Sequence, residues 1–303
     1  MGQSTSRWLT AEAWGCPTRL PLPRASYAAG LVNANLVLAG GSYWKNGEEK
    51  IRTQVVHVYD LATQNWSEGC PLPEPLAESA SCSDGERLYV AGGRHNNGIT
   101  GACLEYRDNC WGSLPDLPEA QTMGALATAN KGLYLLGGLT ITDDWASATT
   151  KFQVLQDNHW SSLPPLPSVG IVTHSLASWN ETIFCFGGAH MNNGAVENIS
   201  QIHSFSISEN RWSTIGDLPT PLRALSAATG PDSIYLFGGY GTTFENSIFT
   251  FNPQTGEIAA IGELPMGIAD CKFFYSAPWW IGAGGEPGPR LRSQYTWQAK
   301  HTL

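Results

Sequence analysis

The sequence predicts an all-β chain built from six copies of one unit, each of about four short strands. Three marks predict it. A Gly-Gly doublet ends an apolar run six times, at Gly41, Gly93, Gly138, Gly188, Gly239 and Gly285, with spacings of 52, 45, 50, 51 and 46 residues. A Leu-Pro pair precedes each doublet, with its proline at 23, 73, 118, 167, 219 and 265, so that proline and second glycine are 18, 20, 20, 21, 20 and 20 residues apart. Between doublets, an aromatic run such as "VVHVYD" leads through a short turn to a tryptophan: Trp66, Trp111, Trp160 and Trp212. Two marks held in phase over six copies identify a repeat architecture.

Within one unit the strands follow in order. Short runs rich in β-branched and aromatic residues, bounded by Gly, Pro, Asn and Asp, read as strands. Strand a follows Leu-Pro, b ends at Gly-Gly, c carries Tyr59 or its equivalent, and d carries the tryptophan. The doublet lets backbones approach where a side chain would clash, and the tryptophan fills space between sheets. The fifth unit offers Ile258 where a tryptophan is expected, which predicts looser packing there.

Composition agrees. Charged residues make up 14% of the 303, hydrophobic residues 42%, and Gly 33 with Pro 19 supply many turns. A formal charge of −9 argues against broad nucleic-acid binding. No run approaches the roughly 18 apolar residues of a membrane span. Seven scattered cysteines without a Cys-x-x-Cys pair point away from a metal site or disulfide framework, and Cys185 in "IFCFGG" reads as core. No signal peptide is visible, so a cytoplasmic location is expected, or a periplasmic or secreted one if a signal has been removed. Gly2 with Ser6 fits the loose myristoylation pattern.

The doublets, Leu-Pro pairs and tryptophans resemble the kelch repeat over nearly the whole chain. That resemblance implies a six-bladed β-propeller of four-stranded blades in a single domain spanning 1–303, with repeats at about 24–68, 74–114, 119–163, 168–216, 220–262 and 266–303. The last repeat stops after strand c, and the N-terminal segment 6–15, with Trp8 and Trp14, is expected to close the ring by completing it. Copper-radical galactose oxidases use similar blades, but their tyrosine–cysteine crosslink and histidine ligands find no counterpart here. No cofactor and no metal are expected.

A propeller does not fix a function; its loops do. In kelch rings the loops after the doublets and those after Leu-Pro open on one face. Those loops hold Arg24, Arg94, Arg223, Arg290 and Arg292, five of the eleven arginines of an acidic chain. Arginine grips carboxylates with a rigid two-pronged donor, so an anionic ligand is expected. Tyr43, Trp44 and Tyr240 suit sugar-ring contacts, and His190 lies in the same loop set. Each residue also has a plainer role open to it, in loop packing, turn capping or surface ion pairing.

The stretch "GAGGEPGPRLRS" narrows the choice. Glu286 and Arg292 are six residues apart with Pro287-Gly288 between them. This segment resembles the catalytic segment of bacterial sialic acid mutarotases (N-acetylneuraminate epimerases), although Pro-Gly follows the glutamate at once here and Arg290 competes for the arginine role. The resemblance implies interconversion of sugar-acid anomers: one group takes the anomeric hydroxyl proton, another protonates the ring oxygen, and the ring opens and recloses. Glu286 and Arg292, with His95, Asp270 or His190 as second proton carrier, form the expected catalytic set. The alternative is a non-catalytic interaction module that binds an acidic peptide, and "GGRHNNG" resembles the corresponding loop of protein-binding kelch domains.

Overall fold

A computed structural model describes residues 9–302. Five antiparallel four-stranded sheets follow one another, each in strand order a-b-c-d, and a three-stranded sheet ends the series. The innermost strands are Ala28–Val32, Ala80–Ser83, Ala125–Ala129, Ser175–Trp179, Ser226–Thr229 and Phe273–Ser276, and each packs on the next all the way round, the sixth against the first. The molecule is therefore a six-bladed propeller, with blades I to VI radiating from a central channel.

Local sequence explains the blades. Four tight hairpins within the blades turn on two consecutive residues with positive φ, Asn33-Ala34, Asp108-Asn109, Asn130-Lys131 and Asp157-Asn158, as does the loop hairpin at Asn193-Gly194. Asparagine and aspartate tolerate this left-handed backbone, whose twist matches that of the strands it joins. The predicted tryptophans hold one register. Tyr59 faces Trp66, Tyr106 faces Trp111, Leu155 faces Trp160 and Phe205 faces Trp212. Phe251 faces Ile258 at the same place in blade V. The expected loosening is not seen at Phe251, which is 1% exposed and packs edge-on against Phe184 and Phe186.

The doublets join the blades. Gly40 has φ +65°, and a Cβ there would lie 2.3 Å from the Leu76 carbonyl oxygen of the loop entering blade II. Gly41 N–H donates to that same carbonyl at 2.7 Å. The bond recurs at every junction: Gly93 to Gln121, Gly138 to Ile171, Gly188 to Leu222, Gly239 to Ile268, and Gly285 to Arg24 across the closure. No side chain fits between a donor and an acceptor held this close.

The first Leu-Pro mark shifts. Leu72, Leu117, Leu166, Leu218 and Leu264 are buried and each donates its N–H to the preceding blade. In the first repeat that role falls to Leu20, which is buried and donates to Gln294, whereas Leu22 is only half-buried. With Pro21 as the mark, the gap to Gly41 becomes 20 residues, in line with the other repeats.

Closure uses the N-terminal segment in a less regular way than a full strand. Ala11–Ala13 forms a 3-10 turn, while Gly15 pairs with Gln298 and Arg19 with Tyr295 beside the outer strand of blade VI. Leu9 pairs with Gly262 of blade V, and Trp14 packs edge-on against Phe237 and Phe273. Residues 6–8 of the expected strand, including Trp8, and the Gly2/Ser6 pattern lie outside the described residues. Among the described residues, no helix is long and apolar enough to cross a membrane.

Candidate binding site in the propeller mouth

The loops after the doublets and those entering each innermost strand surround one end of the channel. Three of the former rise as hairpins: Ser42–Lys45 with Glu49–Arg52, Arg94–His95 with Gly98–Ile99, and Ala189–Asn192 with Ala195–Asn198. The first of them, through Trp44 and Lys50, borders a cavity of about 900 Å³ that runs down between the innermost strands.

Six residues in the left-handed region circle its entrance, one per blade: Ser26, Glu78, Met123, Thr173, Ala224 and Asp270, with φ from 51° to 59°. Such a backbone is costly for residues other than glycine. A relay of hydrogen bonds accompanies it. Each amide from Glu78 to Asp270 donates to the carbonyl of its predecessor in the ring, at 2.7–3.0 Å. At the seam between Asp270 and Ser26, side chains take over: Ser26 Oγ donates to Asp270 Oδ2 at 2.7 Å. The two ends of the repeat array are thus sutured at the mouth.

The charged groups lining the cavity are Lys50, Glu78, Arg223, Asp270, Lys272, Glu286, Arg290 and Arg292. The carboxylates are engaged from within. Glu78 takes Lys50 Nζ at 2.5 Å, and Glu286 takes Arg292 Nη1 at 3.2 Å. Asp270 holds Ser26 and lies near Lys272, whose Nζ donates to Ser81 Oγ at 2.6 Å. Burial pushes the Asp270 carboxyl up and the Lys272 amine down, and each charge partly offsets the other's shift. Arg223 and Arg290 form no ion pair with a carboxylate among the described residues. Arg223 lies over the Tyr240 ring, 4.4 Å from its centre, and donates to Asn198 Oδ1 at 2.7 Å. Arg290 lies over Trp44 at 4.9 Å and donates to the Gly47 carbonyl. An aromatic face holds a guanidinium in place without neutralising its charge.

The cavity therefore brings together seven of the residues expected from sequence: Trp44, Arg223, Tyr240, Asp270, Glu286, Arg290 and Arg292. Five others do not line it. Arg24 is fully buried behind the mouth, donating to His57 Nδ1 and the Leu38 carbonyl, both at 2.9 Å. Burial lowers its pKa to about 10, and burial followed by the Arg24 charge holds His57 at about 4. Its post-proline position and buried blade core give Arg24 a structural place. His95 turns outward to the Pro75 carbonyl at 3.0 Å and to Glu74. His190 stands across its hairpin from Glu197 at 3.7 Å. Arg94 makes a two-pronged pair with Asp143 of blade III. Tyr43 lies half-buried on the first hairpin, outside the cavity lining.

Three cavity groups escaped the sequence reading as site residues. Lys272 lies inside the innermost strand run "CKFFY", where only the alternation of side chains along the strand indicates a channel-facing lysine. Lys50 stands opposite Trp44 near the tip of the first hairpin, whose fold-back the sequence reading did not include. His174 lines the cavity wall but is 6% exposed, and burial drives its pKa down to about 3, only partly opposed by the Leu136 backbone.

No family model matches the chain. It is similar to the Kelch-like protein terF of Aspergillus terreus, 26% identical over 235 residues that cover 72% of this chain and 50% of that protein. It is 23% identical over 270 residues to Kelch-like protein 36 of Mus musculus, covering 85% of this chain and 43% of the other. Beta-scruin of Limulus polyphemus matches at 25% over 240 residues, 75% of this chain and 26% of that one. The chain spans half or less of the length of these relatives. Six blades joined through paired glycines, together with these relatives, make it a six-bladed β-propeller of kelch-type repeats.

Proposed function

We propose that the protein is a non-catalytic interaction module that holds an acidic segment of a partner protein in the propeller mouth. The observation that carries this reading is the pair Arg223 and Arg290. Two guanidinium groups, each laid on an aromatic ring and neither ion-paired to a carboxylate among the described residues, face a cavity of about 900 Å³ in a chain of net charge −9. A carboxylate entering the mouth completes their donor sets with short, charge-assisted bonds. The similarity to Kelch-like proteins, from fungus to mouse, supports the same reading.

The sugar-acid isomerase reading draws on the Glu286–Arg292 contact and on Asp270 in the same cavity. It has less support. Arg292 spends Nε on the Ser42 carbonyl and Nη1 on the Leu291 carbonyl and Glu286, which leaves little of its fork for a substrate carboxylate. His95, one expected proton carrier, lies outside the cavity.

The test is fluorescence anisotropy with a labelled peptide carrying four consecutive glutamates, at low ionic strength. Binding is expected to weaken as salt rises, because exposed charge contacts are screened. R223A and R290A are each expected to weaken it about tenfold, the worth of one charge-assisted contact. Unchanged affinity in the double variant overturns the proposal. Accelerated anomer equilibration of N-acetylneuraminic acid, followed by NMR and lost in E286Q, would support the isomerase instead.

A further inference from the structure

The cations of the mouth occupy one sector of the ring. Arg223 and Tyr240 belong to blade V, Arg290 and Arg292 to blade VI, and Trp44 and Lys50 to blade I. In a six-membered ring, blades III and IV stand opposite blades VI and I. That opposite sector gives the cavity lining no cation among the described residues, and it exposes apolar side chains beside the Arg94–Asp143 and His190–Glu197 pairs. Among the described residues, five large hydrophobic side chains are exposed: Ile141 at 57%, Val169 at 47%, Val196 at 38%, Leu291 at 59% and Ile215 at 36%. The first three lie on mouth loops of blades III and IV, and Leu291 sits beside Arg290 on the mouth loop of blade VI. Only Ile215, on an outer strand, lies away from this face.

The loops that carry Ile141, Val169 and Val196 pack on one another and form a shelf beside the cavity. The long loop of blade III folds back on itself, with Ser147 Oγ accepting from the Ile141 amide at 3.0 Å and Asp144 capping the turn Trp145–Ser147. Val169 is followed by Gly170, where a Cβ would meet the Ala148 carbonyl oxygen at 2.0 Å, and Ile171 N–H donates to Thr149 at 3.1 Å. The Val169 loop is thus pressed onto the Ile141 loop. On the next hairpin Val196 faces Met191 in register, and the turn Trp145–Ser147 packs against the strand that carries Met191. Scattered exposed apolar residues are ordinary, but several collected on one face beside a charged cleft mark an interaction surface.

We infer that the mouth takes a partner segment of mixed chemistry, acidic over blades V, VI and I and carrying at least one large apolar side chain that lands on the Ile141–Val169 shelf. This rests on the proposed acidic-segment function and assigns its second half. Charge complementarity fixes the orientation: the acidic run is drawn to Arg223 and Arg290, so residues beyond it reach across the ring. An extended run of six residues spans ~20 Å. Burial of one leucine-sized side chain against the shelf strengthens binding about tenfold.

The test uses the full chain and two labelled peptides, one with four glutamates flanked by glycine and serine, the other with a Leu-Leu pair placed on each flank. The expected result is binding of both, with the leucine peptide about tenfold tighter. In the I141S/V169S variant that advantage is lost while the glutamate peptide binds as before; both residues are exposed, so folding is spared. Equal affinity of the two peptides for the unaltered protein overturns this inference and leaves the acidic-segment reading standing. A leucine advantage that persists in I141S/V169S also overturns it, by placing the apolar contact elsewhere. Binding of neither peptide overturns both readings together.

Discussion

Acidification should destabilise this propeller through one histidine in particular. His174 follows Thr173 of the entrance ring and is 6% exposed. Its ring closes over the first glycine of the blade III doublet: a Cβ on Gly137 would lie 2.9 Å from its Cε1. Burial lowers its pKa from an ordinary 6.5 to about 3. The sign follows from linkage. Above pH 6.5 the ring is neutral in both folded and unfolded chains and contributes no pH dependence. As pH falls below 6.5 the unfolded chain takes up a proton that the folded chain refuses until about pH 3. Stability is lost across that window at roughly 1.4 kcal/mol per pH unit. Between pH 7 and pH 4.5 the loss from His174 is therefore ~3 kcal/mol. His57 titrates in the same window, so the measurement must be a difference. Urea unfolding followed by tryptophan fluorescence, at both pH values, is compared between the unaltered protein and H174L. Any packing cost of the leucine is common to both pH values and cancels. The unaltered protein should lose ~3 kcal/mol more on acidification than the variant. Equal losses in the two would refute the reasoning.

Two further outcomes follow from the same geometry. A Cβ on Gly187, at φ +56°, would stand 2.3 Å from the Leu222 carbonyl oxygen, so G187A should cost more than about 3 kcal/mol or abolish folding, whereas alanine at Gly194, which has open space around it, should cost about 1 kcal/mol for its positive φ alone; thermal melts of the pair check this. A thiol reagent should modify the exposed Cys16 and Cys110 first and reach the buried Cys103, Cys185 and Cys271 only after unfolding, because burial also raises the pKa of those three; a timed titration with and without denaturant checks it.

Much of the architecture was written locally. The doublets, Leu-Pro pairs and tryptophans recur at fixed positions of the repeat, so their spacing alone counted the blades, and the kelch resemblance placed the mouth loops. The exception is instructive. Leu22-Pro23 and Leu20-Pro21 are indistinguishable as dipeptides; the regular spacing favours the second, and the Leu20 amide meeting Gln294, far along the chain, assigns it the structural role. The same division runs through the site. That arginines crowd the mouth loops was legible. Which of them face a ligand was not, because that depends on partners brought up by other strands of the blade and by neighbouring blades. Arg24 found His57 and withdrew into the core, Arg94 found Asp143 of the neighbouring blade, and Arg292 found Glu286 and Ser42. Arg223 and Arg290 found aromatic rings, which orient a cation and leave its charge for another molecule. Lys272 and His174 became cavity residues only when the ring closed around the channel, since a single strand does not reveal what stands opposite it. The sequence by itself determined the repeat, the blade count and the stock of charges at the mouth, because those are properties of short segments; the tertiary structure decided which charges remain unspent, because neutralisation is settled between segments that meet only in the folded ring.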